Sequence, residues 1–469
     1  KDLIFLFSNT DAAGVSGDYT AGACDATKNG AIPDKVAKYE TIDNGDWTTA
    51  TVWTPNVAGG PRGAIAKINA PHTVDVSTNN LTGYMTEVYG KLKLYSTYGH
   101  RLGIVNGNGT IYSEVGDIPA AVYDAFFSSA GGTLEFGGAS KNYEFLGNIF
   151  EVNHLKITGS GVRRFPNNNL ILNGHLTISG DAGLNLLNYY NRKLSVQGNI
   201  TRTGGAFDAG TGANATVSLT GTLSQTIVGS FSDANAFNNL EVDNTNDASI
   251  TNDVEVDREL KLTNGLINVP TGSLFKLNYG GFVTPTAGSS SSFVNGIFTK
   301  EMMTGNSFTF PVGSNLGTKA HGPISLLNVS GPSGINNWSV SYVYANANDN
   351  GMSVNSFEAP ISTVSHSEYW KIQAPSGGQS QISIVLDGSS DVASTIPDMS
   401  NLRVVGWNVA TSKWEVVGDG AAVSGLSTNG TVTTTSSVSF GNYTYFTLGS
   451  VMPLSASSAS FTSQNVKIC

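Results

Sequence analysis

The feature that most constrains this chain is a short pattern written three times at one interval. Val88, Gly90, Leu92 and Leu94 recur as Leu172, Gly174, Leu176 and Ile178, and again as Val256, Arg258, Leu260 and Leu262. Both steps are 84 residues long (172 − 88 = 84 and 256 − 172 = 84). Such self-similarity is the signature of stacked structural units. Inside each copy apolar residues alternate with polar ones, the period of a half-buried strand. Longer matches agree: Leu134 and Phe136 face Val217 and Leu219, Leu155 and Ile157 face Leu240 and Val242, and Leu170 and Leu172 face Val254 and Val256. Their offsets drift by one residue around 84 (217 − 134 = 83, 240 − 155 = 85), as variable turns between fixed strands would produce. Strand pairs also recur within a copy at 15 to 24 residues (170 − 155 and 194 − 170), so one repeat holds several coils. Each coil adds ~4.8 Å of height. The expected fold is all-β, a right-handed parallel β-solenoid with further strands after it.

Composition supports tight turns rather than a charged surface. Only 13% of residues are charged, about half of the usual ~25%. Gly numbers 55, and Gly and Asn accept positive φ at low cost. A net charge of −10, with no basic run beyond Arg163 and Arg164, argues against a nucleic-acid partner. No apolar run reaches the ~18 residues of a membrane-spanning helix, and the run from Leu3 to Phe7 is too short for a signal peptide. The first residue is not Met, which reads as a mature product or a piece of something longer. Cys24 and Cys469 lie at opposite ends without metal-ligand spacing, and two unpaired thiols is the preferred reading over pairing with another chain.

The texture of the chain divides it. Residues 1–38 read as the end of a preceding segment or an N-terminal extension. Residues 39–71, with Trp47 and Trp53, read as a cap over the open solenoid end. The solenoid proper is expected over 72–282, with Asn-rich corners at 167–169 and 244–246 suited to left-handed turns and amide ladders. After that, Trp338, Trp370, Trp407 and Trp414 appear, and alternating segments such as Trp338 to Tyr342 and Ile382 to Leu386 come at irregular spacing. An antiparallel β-sandwich is expected over 283–450. Residues 451–469 read as a linker to a following segment.

Several of these segments together resemble a known family. They are Gly45 to Trp47 with Trp53, the repeats with alternating Leu and Val, Phe308 to Gly313, Tyr369 with Trp370, and Tyr445 to Gly449. Their texture is similar to that of the very large multi-domain surface proteins of Bacteroidota, typically exported by the type IX secretion system. The resemblance covers roughly residues 39–450 and rests on repeat texture, not on catalytic motifs. It implies an adhesin or surface fibre, extracellular and at the cell surface. The sorting domain usual at the C-terminus of such proteins is not in this sequence.

Candidate sites are sparse. Parallel β-helices also carry polysaccharide lyases and hydrolases, which need clustered carboxylates or a basic residue beside acidic calcium ligands. No such constellation stands out here, and Gly99, His100 and Arg101 read as a solvent-facing turn. No two of His72, His100, His154, His175, His321 and His366 stand at metal-ligand spacing, and His154 and His175 take outward strand positions. Asn346 to Gly351 imitates half a calcium loop, but the position for its bidentate Glu holds Phe357, so a polar turn is the better reading. Trp407, Trp414 and Tyr443 could stack on sugar faces, although core packing of the two tryptophans around one hairpin is favoured.

The sequence therefore points to a non-catalytic structural or adhesive segment of a cell-surface fibre or stalk, with no cofactor and no metal. Its expected partners are further copies of the chain or fibre neighbours, with surface glycans or another cell's surface as further candidates. A glycan-binding module using the sandwich aromatics is the second reading. A β-helix polysaccharide lyase or hydrolase is the third.

Overall fold

The computed structural model describes residues 36–452, apart from 145, 146, 148, 166, 167, 186–191, 210–214, 389 and 397. Both cysteines, the run from Leu3 to Phe7 and nearly all of the two terminal segments lie outside the described residues. The fold is all-β, with 47% strand against 6% helix, and its β-solenoid makes about 11 turns. The described residues form two compact units: 36–165 with 172–174 and 179–182, and the remainder.

In the first unit one parallel sheet contains Lys38–Thr41, Ile65–Ile68, Met85–Val88, Arg101–Asn106 and Ala120–Val122. A second contains Gly45–Asp46, Thr73–Asp75, Lys91–Lys93, Thr110–Ser113, Thr133–Phe136 and His154–Ile157. Register fixes the coil length. Lys91 lies beside Thr110, Thr110 beside Thr133, and Thr133 beside His154, so successive coils take 19, 23 and 21 residues. An 84-residue interval is thus about four coils. Alternation places Ile68, Val88, Leu92, Ile111, Leu134 and Leu155 inward, each no more than 1% exposed.

Residues 39–71 are more than a cap. Lys38–Thr41 and Ile65–Ile68 already pair in parallel, and buried Ala66 and Ile68 continue the alternation of the later rungs. The tryptophans do close this end. Strand Trp53–Thr54 runs antiparallel to Lys38–Thr41, and the Trp53 indole donates to the Trp47 carbonyl at 2.9 Å, the rings meeting edge-on at 5.1 Å.

In the second unit one parallel sheet stacks Leu176–Ile178, Ile200–Arg202, Gln225–Val228, Ala248–Ile250, Ile267–Asn268, Val294–Asn295 and Val312–Ser314. The other stacks Lys193–Val196, Thr216–Leu219, Phe237–Asp243, Val254–Asn264, Phe275–Leu277 and Phe298–Met302. Leu176, Ile200, Ile227 and Ile250 lie at one height of successive rungs and are all buried. Phe207, Phe231 and Phe237 stack beside the aliphatic residues, with ring centroids 4.9–5.3 Å apart. On the outward side, Thr226, Ser249, Asn268 and Asn295 form an uncharged column. Asn295 Nδ2 donates to Asn268 Oδ1 at 2.7 Å, and Asn268 Nδ2 to the Ala248 carbonyl at 3.1 Å. A buried amide pair supports a corner where the sequence suggests one: Asn244 Nδ2 donates to Gln225 Oε1 at 2.9 Å.

The three copies of the repeat do not fold alike. In the first two, the chain turns between separate strands at Gly90 and Gly174. A Cβ at Gly90 would lie 2.2 Å from the His72 carbonyl oxygen, so only Gly permits that approach, and a Cβ at Gly174, 2.3 Å from His154 Nδ1, would push that ring aside. In the third copy the same place is Arg258, which could not be accommodated so closely. The chain instead stays extended through Val254–Asn264, with a bulge between Val256 and Glu259.

Parallel pairing also continues past residue 282. Val294–Asn295 and Phe298–Met302 still stack on earlier coils, and the serine run is a tight turn in which Ser289 and Ser292 exchange main-chain bonds at 2.8 and 3.0 Å. The other edge of Phe298–Met302 pairs antiparallel with Asn336–Val343, so this solenoid sheet passes unbroken into the antiparallel region. There the order continues through Tyr369–Gln373, Tyr443–Ser450, Leu402–Asn408 and Lys413–Val416. A second antiparallel sheet orders Phe308–Phe310, Ile324–Ser330, Gln379–Val385, Thr431–Thr434 and Ala421–Ser424. Buried Trp370 of the first sheet donates through Nε1 to the Gly322 carbonyl beside the second, at 2.7 Å.

Candidate functional site

The aromatics singled out for sugar stacking are committed elsewhere. Trp407 and Trp414 are register partners on one antiparallel hairpin, which places them on the same side. That side is the core: Trp414 is fully buried, Trp407 is 8% exposed, and their rings meet edge-on at 5.3 Å among Met352, Val354, Ile361 and Tyr369. Neither indole offers a face to a sugar. Tyr443 is half-buried, and its hydroxyl donates to Glu415 Oε2 at 2.7 Å. Burial, then the Glu415 carboxylate, pushes the Tyr443 hydroxyl up to about 12.

The other sequence candidates have structural partners too. His100 is buried, not solvent-facing: its Nδ1 accepts from the Leu81 amide at 3.2 Å, and its Nε2 meets Thr97 Oγ1 at 2.9 Å. Burial lowers its pKa. His175 is exposed and His154 half-buried. Asn346 caps the turn Ala347–Asn350 by accepting from the Asn348 amide at 2.9 Å, and Gly351 closes it at φ 77°. Among the described residues, no three His, Cys, Asp or Glu side chains are grouped to hold a metal ion. A cavity of about 300 Å³ in the first unit is lined by Asp117, Ile118, Pro119, Tyr123, Phe127 and Ile149, with Asp117 its one carboxylate.

What the structure does build is a carboxylate clasp, made twice. In the first unit Glu135, with its side chain 8% exposed, lies between Lys91, two coils before it (2.8 Å), and Lys156, one coil after it (3.9 Å). Thr158 donates to its other oxygen at 3.0 Å. The Lys91 ammonium also sits 5.0 Å over the Tyr112 ring on the intervening coil. The second unit repeats the arrangement. Glu241, with its side chain 5% exposed, holds Lys193 from two coils before at 2.6 Å and Lys261 from one coil after at 2.9 Å. Thr263 and Ser218 donate to it at 3.1 and 2.8 Å. Both clasps use a Lys and a Thr two residues apart, on the rung after the Glu. Sequence reasoning missed them because it followed the 84-residue interval, whereas the two glutamates are 106 residues apart (241 − 135). The recoverable signal was an inward–Glu–inward triplet followed about one coil later by Lys-x-Thr.

The electrostatics of the clasp oppose acid–base use. Burial alone would raise the Glu241 carboxyl, but Lys193, Lys261 and Ser218 hold it down at about 2. A general acid or base works best with a pKa near the working pH, far from this value. The clasp does make a stability prediction. Because the folded pKa lies below the ordinary ~4.3 of Glu, its contribution is complete above that value and is lost as pH falls from about 4.5 to 2. The full loss is at most about 3 kcal/mol. Acid denaturation followed by circular dichroism should show the wild type losing stability across this window more steeply than Glu241→Gln. Identical acid slopes would contradict the clasp.

No family model, curated protein or solved structure matches this chain. The functional reading therefore rests on the residues themselves.

Proposed function

We propose that the chain is a non-catalytic structural or adhesive segment of an extracellular surface assembly, whose neighbours are further copies of itself or other fibre subunits. The observation that carries this reading is the use made of buried charge. Glu135 and Glu241 each tie a lysine two coils before to a lysine one coil after, so the charge couples rungs to one another. Lys276 does the same between Glu255 at 3.2 Å and Glu301 at 2.9 Å. Such cross-coil ties add to the main-chain ladder and to the continuous core that makes neighbouring repeats depend on each other. A catalytic carboxylate would instead face a cleft with its pKa brought toward the working pH.

Single-molecule pulling of the intact chain tests the reading. Coils of about 21 residues should come away in extensions near multiples of roughly 70 Å, the contour length of one coil. Glu241→Gln should lower the force of the corresponding step. Extension without discrete steps would refute a load-bearing role. Release of oligosaccharides from a panel of polysaccharides by purified protein, lost on mutating a single carboxylate, would replace it with catalysis.

A further inference from the structure

One buried acid has no part in this account. Glu368 immediately precedes strand Tyr369–Gln373 and is 4% exposed. Its Oε2 accepts from the Tyr342 hydroxyl at 3.0 Å, and its main-chain oxygen accepts from Thr447 Oγ1 at 2.6 Å. Tyr342 belongs to Asn336–Val343 and Thr447 to Tyr443–Ser450, so this one residue joins three neighbouring strands. Its other oxygen, Oε1, is buried with no hydrogen-bond partner.

Among the described residues, no Lys, Arg or His makes an ion pair with Glu368. The charged groups that face it are acidic: Asp391, at the start of the short helix Asp391–Thr395, and Asp387, in the loop after Gln379–Val385. Strand Asn336–Val343 contributes Tyr342, and strand Tyr443–Ser450 contributes the uncharged Thr447. A carboxylate so placed would carry a full negative charge away from water, beside two like charges and with too few donors. Its neutral acid form removes the buried charge and the repulsion and calls for fewer donors.

We infer that Glu368 is a proton-operated lock on the antiparallel region: as the neutral acid it joins the three strands without strain, and on losing its proton it loosens them. The trigger is a move from mildly acidic to neutral surroundings. Burial, with Asp391 and Asp387 adding repulsion, pushes the carboxyl up to about 7, against the lowering effect of Ser390 and Tyr342. Since the folded pKa exceeds the ordinary ~4.3, the folded state holds this proton more tightly than the unfolded chain. Stability from Glu368 is therefore greatest at low pH, falls as pH rises toward 7, and changes little above it.

The test is urea unfolding of the full chain at pH 5.5 and 7.5, for wild type and Glu368→Gln. Tryptophan fluorescence reports it, since four of the six tryptophans (Trp338, Trp370, Trp407 and Trp414) lie in this region. Between the two pH values the folding equilibrium of the wild type should fall roughly twentyfold relative to Glu368→Gln. His321, whose pKa is lowered by burial, shifts stability the opposite way but is present in both proteins and cancels in the comparison. Equal pH dependence in the two proteins would overturn the lock. If Glu368→Gln does not fold, Tyr342→Phe serves instead. Loss of that donor should move the midpoint of the pH transition upward, and an unmoved midpoint would overturn the inference.

Discussion

Replacing Leu176 by Asp will collapse several coils of the second unit together. Leu176 is fully buried and stands in register with Ile200, which stands on Ile227, which stands on Ile250. A carboxylate at this height has apolar neighbours and no cation to pair with in that column. Introducing it places the change among the largest single-residue effects, about 4 kcal/mol or more. The loss spreads because each rung supplies the hydrogen-bond partners of the next. Leu176→Ile keeps volume and polarity and should cost less than about 1.5 kcal/mol. Thermal unfolding of both variants separates a specific effect of charge from sensitivity to any change. Wild-type melting of Leu176→Asp would place the side chain outside the core.

The second large effect is expected at Arg163, a fully buried guanidinium. It donates to the main-chain oxygens of Gly137 at 2.6 Å, Thr158 at 2.9 Å, and Ser160 and Gly138 at 3.1 Å, and also to that of Lys141. The Tyr143 ring lies 4.8 Å from its central carbon. Three of these carbonyls have a second donor: Ser160 from the Lys141 amide at 3.2 Å, Gly138 from the Ser160 amide at 3.0 Å, and Gly137 from the Tyr143 hydroxyl at 3.1 Å. Arg163→Ala would take the guanidinium donor from the Thr158 and Lys141 carbonyls, at about 1–3 kcal/mol for each group that water cannot reach. The expected loss is about 4 kcal/mol in the first unit. Arg163→Lys should recover only part of it, since an ammonium is a point charge without the planar fork. Chemical denaturation of the three proteins decides the matter, and equal midpoints for wild type and Arg163→Ala would refute the role.

How much of this was legible in the sequence differs between backbone and site. Alternation around Val88, Leu172 and Val256 disclosed strands and stacking, because a strand's period is local. The boundaries were less legible. Ala66 and Ile68 continue the pattern weakly beside conspicuous tryptophans, and the serine run at 289–292 looks like an ending although it is a turn between coils. The clasps were hidden by variable coil length, from 18 residues between Val294 and Val312 to 29 between Gly45 and Val74. Partners stacked in space therefore have no fixed separation: Lys91 and Glu135 are 44 apart, Lys193 and Glu241 are 48. Glu368 gave no signal at all, since an acid before a strand is ordinarily exposed. Trp407 and Trp414 were readable as a facing pair, but spacing alone does not say which face is the core.

The column of Thr226, Ser249, Asn268 and Asn295 has a consequence for the response to salt. Its bonds are between neutral groups, so dissolved ions have nothing to screen. Another sheet of the same unit is stitched by Lys193, Glu241 and Lys261, whose lysine ends are 40% and 47% exposed. Electrostatic reach shrinks from about 10 Å at 0.1 M to about 3 Å at 1 M salt. As salinity climbs, the exposed lysine ends are screened in part, the carboxylate between them being buried, while the amide flank keeps its strength. The same coils thus possess one side that responds to the surrounding water and one that is indifferent to it.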